Sequence, residues 1–181
     1  MISLGLLELN SIAQGVAAGD AMLKAADGQL VRAGTVCPGK YTAIITGEVA
    51  AVAAAMDAGR VRAGEALVDE LVIASLDPQV KGALSGCVPV PEAAALGVME
   101  FFSIAGAVVA ADRAAKAADV RLIEVRLGLG IGGKSFVSLT GEVAAVEAAV
   151  DAGISPSAEK GLLVGSCVIP SPRGEIFNSM L

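Results

Sequence analysis

The chain has 181 residues, a net charge of −6 and 55% apolar residues, but only 3% aromatic residues and no tryptophan or histidine. Lack of histidine removes Ser-His-Asp and Cys-His catalysis, histidine zinc sites and histidine pH switching, and the acidic balance without a basic run argues against a nucleic-acid partner. No uncharged apolar run approaches the ~18 residues that span a bilayer, so no membrane partner is expected and the apolar surplus is expected to lie between subunits.

Met1 leads almost directly into a strand-like segment, which leaves no room for a signal sequence and points to the cytoplasm. Three cysteines, Cys37, Cys87 and Cys167, are an odd number without a secretory context, so a disulfide framework is not expected. The first strand is predicted over residues 2–10 from its period-two character. It ends at Asn10-Ser11, which is N-cap chemistry. A helix over 11–26 comes next, with Ile12, Val16, Met22 and Leu23 toward one side. Strands at 30–36 and 41–46 are joined by the short loop Cys37-Pro38-Gly39-Lys40. A second, Ala-rich helix is predicted over 48–58 and a closing strand over 67–75. This order, β-α-β-β-α-β, is that of a ferredoxin-like unit. Residues 77–93, with two Gly and three Pro, read as linker.

The unit then recurs. Residues 5–27 lie over 97–119 without gaps, and TGEVAAVAAAMDAG (46–59) returns as TGEVAAVEAAVDAG (140–153). The offset grows from 92 to 94, so the second copy has two extra residues between these blocks. The predicted fold class is therefore α+β: two tandem ferredoxin-like domains, antiparallel sheets with helices on one face, at 1–86 and 96–181, with a linker at 87–95. The stretch GLGIGGKS (128–135) matches the P-loop pattern letter for letter. By the repeat, however, Lys134 falls on Lys40 and the stretch becomes a hairpin connection. The residues after Lys134, SFVSLT, alternate like a strand, whereas a P-loop requires a helix N-terminus there. Nucleotide binding is therefore not expected.

Gly5 to Glu8, Asp20 to Ala26, Cys37 to Lys40 and Gly47 to Gly59, with Gly97 to Glu100, Gly130 to Lys134, Gly141 to Gly153 and Val168 to Pro172, together resemble the shell proteins of bacterial microcompartments in their tandem-domain form. With cysteine in the first loop, the chain is most similar to the iron–sulfur tandem type of propanediol-utilisation compartments. The resemblance covers nearly the whole chain. It implies a homotrimer whose six domains form a flat pseudohexagonal tile in the microcompartment shell, packed edge to edge with other shell proteins around enclosed redox enzymes. It implies a structural role and no catalysis. It places Pro38, Gly39 and Lys40, and Gly130, Ile131, Gly132, Gly133 and Lys134, in loops lining a central pore, and Lys24 and Lys116 at tile edges.

Three thiolates from Cys37 would then converge on the threefold axis and suit a shared [4Fe–4S] cluster, used for electron transfer across the shell. Pro38 would stiffen this loop, Gly39 would let backbone approach the axis, and Lys40 would add positive charge beside the cluster. On the residues alone, Cys37 reads first as a small packing residue near a strand end, the commoner fate of a lone cysteine, which corresponds to a metal-free tile with an open or gated metabolite pore. A small-molecule-binding regulator or nucleotide enzyme built on duplicated ferredoxin-like units is the remaining alternative. Cys87 and Cys167 are expected to be ordinary structural residues.

Overall fold

The computed structural model describes residues 2–90 and 94–179. They form two compact units, one running up to Leu76 together with Leu129–Gly133, the other comprising the remainder from Asp77. Part of the linker expected at 87–95, residues 91–93, lies outside the described residues, as do the first residue and the last two.

In the first unit, β1 (Ser3–Leu9), α1 (Ile12–Ala25), β2 (Gln29–Val36), β3 (Lys40–Gly47), α2 (Val49–Ala63) and β4 (Leu67–Ile73) keep the predicted order. The strands form one antiparallel sheet in the order β2-β3-β1-β4. The apolar run of β1 takes a central place and is buried along its whole length. Leu7 and Leu9 of β1 and Ala43 and Ile45 of β3 point to one face, where Ala18 and Met22 of α1 and Val52, Ala55 and Met56 of α2 cover them. Ser11 caps α1 as expected, its Oγ accepting from the Gln14 N–H at 3.3 Å.

The buried side of α1 is not the one its large apolar residues suggested. Gly15, Ala18, Gly19 and Met22 are buried, whereas Ile12, Val16 and Leu23 are exposed. The reason is close approach. A Cβ built on Gly15 would lie 2.5 Å from the Tyr41 ring, so only a helix with small residues on this side can settle onto β3. Helix α2 also runs five residues past its predicted end. Gly59 sits inside it, packed where a Cβ would meet Leu7 and Met22 at 2.6 Å, and the chain turns only at Gly64 with φ +52°.

The second unit repeats the plan with β5 (Ala95–Phe101), α4 (Ile104–Ala117), β6 (Val120–Leu127), β7 (Ser135–Gly141), α5 (Val143–Glu159) and β8 (Leu163–Pro170), in the sheet order β6-β7-β5-β8. It adds two helices, α3 (Pro78–Ser85) and α6 (Gly174–Asn178), which the linker reading of 77–93 and the repeat did not foresee. In α3, Asp77 Oδ1 accepts from the Gln79 N–H at 3.0 Å and Pro78 stands at the first helical position. Val80, Ala83 and Leu84 are buried. Gln79 lies against β6, donating to the Val120 carbonyl and accepting from the Leu122 N–H, each at 3.1 Å. The chain thus passes into the second compact unit at Asp77, nine residues before the domain end expected at 86. Helix α6 lies on the reverse face of the sheet, where Phe177 packs with Val90, Leu96 and Ile123. Part of the second sheet's reverse face is therefore covered as well.

Candidate functional site

Two hairpin connections hold the residues singled out by sequence. The first is closed by the pairing of Val36 with Lys40, which leaves Cys37, Pro38 and Gly39 as the turn. The Cys37–Pro38 peptide is cis and Gly39 has φ +79°, a conformation that glycine adopts without a side-chain penalty. No atom lies within 4 Å of the place a Gly39 Cβ would take, so this turn is open. Cys37 is a half-buried free thiol at its start.

The positive charge of Lys40 is paired within the chain. Its Nζ lies 2.6 Å from Glu8 Oε1, and the Glu8 side chain is only 5% exposed. Glu8 is held there by its register on β1, directly opposite Thr42 of β3. Thr42 Oγ1 is itself buried without a hydrogen-bond partner.

The second connection is longer and richer in glycine. Leu127 pairs with Ser135, and the Gly128 N–H donates to the Lys134 carbonyl at 3.0 Å. Gly128, Gly130, Gly132 and Gly133 all have φ between +64° and +81°. Lys134 is the last residue before β7, a strand, so the backbone amides of a helix N-terminus do not come after it and the P-loop resemblance is confined to the letters. Leu129 is exposed, and no atom lies within 4 Å of the Cβ positions of Gly130 and Gly132. Ile131 is half-buried. Gly133 belongs to the same compact unit as the Cys37 turn, and a Cβ there would come within 2.9 Å of the Cys37 carbonyl oxygen. The Lys134 Nζ lies 2.6 Å from Glu100 Oε1. Each repeat thus pairs an acid near the end of its first strand with a lysine that opens its third strand or stands just before it. Sequence reading noted both acids within the repeated motif but gave them no task.

Among the described residues no three Cys, Asp or Glu side chains come together as a metal-binding group. In the two hairpin connections one chain therefore offers one thiol, Cys37, at the start of an open turn. Its soft sulfur suits iron–sulfur chemistry, and its half-buried position leaves it reachable, so the residue fits such a group if other copies bring further thiolates.

The other two cysteines differ from expectation, since neither is packed in a core. Cys87 and Cys167 are both exposed. Partial burial pushes the Cys87 thiol up, and Glu124 adds to the effect while Arg126 offsets it. Glu124 and Arg126 are joined by two hydrogen bonds of 2.8 Å, and Arg126 stacks over Phe136 with 5.1 Å to the ring centre. Lys24 and Lys116 close the last turns of α1 and α4, four residues after their partners Asp20 and Asp112. Lys24 and Asp20 are largely exposed. Asp112 is buried and also accepts the Asp77 N–H at 2.8 Å.

A four-stranded sheet backed by two helices is thus duplicated within one chain, with a hairpin loop between the second and third strands of each copy. The BMC domain model matches residues 3–76 and again 95–172, and the chain belongs to that family. It is 42% identical over 179 residues to the bacterial microcompartment shell protein PduT of Citrobacter freundii, covering 99% of this chain and 97% of that one. The crystal structure of a microcompartment protein from Desulfitobacterium hafniense superposes with a TM-score of 0.95 at 50% identity, covering 98% and 99% of the two chains. A fused, permuted hexameric shell protein, MSM0275 of the RMM microcompartment, superposes with a TM-score of 0.59 at 26% identity, over 87% and 84%. The chain is therefore a structural tandem shell protein of a bacterial microcompartment. Among the described residues no helix is long and apolar enough to cross a membrane.

Proposed function

We propose that three copies of the chain form a pseudohexagonal facet tile in a cytoplasmic microcompartment shell, with the Cys37 turns meeting on the threefold axis to hold one shared [4Fe–4S] cluster. The observation that carries this reading is the placement of Cys37. It is a reachable thiol at a short, open turn, while the equivalent turn of the second repeat has no cysteine and places Ile131 where the first has Cys37. Three such thiolates would hold three irons of a cluster and leave the fourth to a ligand other than cysteine. A cluster bound there would supply electron transfer through the tile, to or from redox enzymes enclosed by the shell. Pro38 and Gly39 shape the turn that presents the thiol. Gly130 to Gly133 form a flexible second rim, and Lys24 and Lys116 contact neighbouring shell proteins at the tile edges.

A metal-free tile with a gated metabolite pore is the second reading, favoured by the unfilled space around Gly130 and Gly132. Anaerobic purification of wild type and Cys37→Ser, with visible absorption, iron and sulfide analysis and EPR after reduction, separates the two. Brown wild type and a colourless variant of unchanged oligomeric state are expected. Colourless wild type, even after reconstitution with iron and sulfide, would favour the metal-free pore.

A further inference from the structure

The two hairpins share little between their strands. One carries Cys-Pro-Gly and the other a longer glycine-rich segment, yet both are closed by the same ion pair at the same distance. The pair is therefore a property of the hairpin base and independent of the thiol. In the first repeat it is also the more buried of the two, with the Glu8 side chain 5% exposed against 36% for Glu100. A carboxylate so placed is stable in its charged form only beside a cation, and the neighbouring Thr42 hydroxyl is buried without a partner. Lys40 is the first residue of β3 and Glu8 lies next to last in β1. Their bond ties the strand leaving the turn to a central strand of the sheet.

We infer that Glu8 is the positioning residue of the Cys37 turn. By holding Lys40 it fixes the point at which Cys37-Pro38-Gly39 leaves the sheet, and it cancels the lysine's charge beside the thiol. The inference rests on Cys37 being the metal ligand only where charge is concerned; the mechanical part stands without metal.

The test uses the full chain in its native assembly, as Glu8→Gln, Lys40→Met, the double variant and Lys40→Arg. The first readout is the midpoint potential of the iron-loaded protein. Net charge near a cluster sets its potential, so Glu8→Gln is expected to raise it, Lys40→Met to lower it and the double variant to lie between them. The second readout is the EPR line shape of a nitroxide on Cys37 in iron-free protein with Cys87 and Cys167 replaced by Ser. The label is expected to become more mobile in both single variants and to stay as in wild type in Lys40→Arg. Unchanged mobility in both single variants, or single-variant potentials that shift in the same direction, would overturn the inference. If wild type takes up no iron, the cluster reading alone fails, and the nitroxide still decides whether Glu8 positions the turn. If a single variant does not fold, the double variant, which buries no unpaired charge, replaces it and must also show the more mobile label.

Discussion

Asp20 and Asp112 occupy the same place in the two repeats but have different surroundings. Asp20 meets Lys24 on the surface. Asp112 is buried, holds Lys116 and caps the approach to α3 through the Asp77 N–H. An exposed pair contributes little, whereas a buried acceptor that loses its charge weakens its hydrogen bonds. Asp112→Asn is therefore expected to cost about 1–2 kcal/mol in urea unfolding, and Asp20→Asn under about 0.5 kcal/mol. Equal effects would contradict this account. Cys87 gives a second prediction at this scale. Its thiol is pushed up by burial and by Glu124, so alkylation near pH 8 should be slower than that of free cysteine. Glu124→Gln should speed it, both by removing the carboxylate and by releasing Arg126, and a rate unaffected by that change would show that Glu124 does not act on the thiol. The residue scale is also where sequence reading saw least. Cys37 stood out as a lone cysteine within a repeat, whereas the partnership of Lys40 with Glu8 depends on strand register, which the letters do not display.

At the scale of elements, the strands and four of the helices were legible because they recur. Two copies with the same spacing reinforce one another where a single copy would be ambiguous. Helix α3 was missed for a definable reason. Asp77 and Pro78 were counted with the glycines and prolines of a linker, although an acid with proline straight after it is also how a helix begins. Apolar Val80, Ala83 and Leu84 then complete a buried side. The buried side of α1 was misread because size was taken as the guide to burial, while contact with the sheet selects the smallest residues. Gly15→Ala tests this packing. With Tyr41 only 2.5 Å from the new Cβ, the substitution is expected to destabilise by about 1–3 kcal/mol through overpacking, despite alanine's better helix propensity. A gain in thermal stability would show that β3 yields easily at this point.

For the whole molecule, the misread side of α1 has a use. Ile12, Val16 and Leu23 form an exposed apolar stripe on a helix whose sheet-facing side is already satisfied. Val61 of α2 and Val68 and Val72 of β4 are exposed as well. Such surface is expected of a protein that functions only in an assembly. Val16→Lys should leave the circular dichroism spectrum and unfolding midpoint of the isolated chain nearly unchanged while weakening association in sedimentation velocity. Unchanged association would place the subunit contacts elsewhere.

The central claim is that one cluster is shared by three chains through Cys37. Native mass spectrometry of anaerobically purified protein tests it most directly. The account predicts a species of three chains plus the mass of a single [4Fe–4S] cluster, reduced to three bare chains in Cys37→Ser. A cluster-bearing single chain, or three chains that keep the extra mass without Cys37, would contradict it.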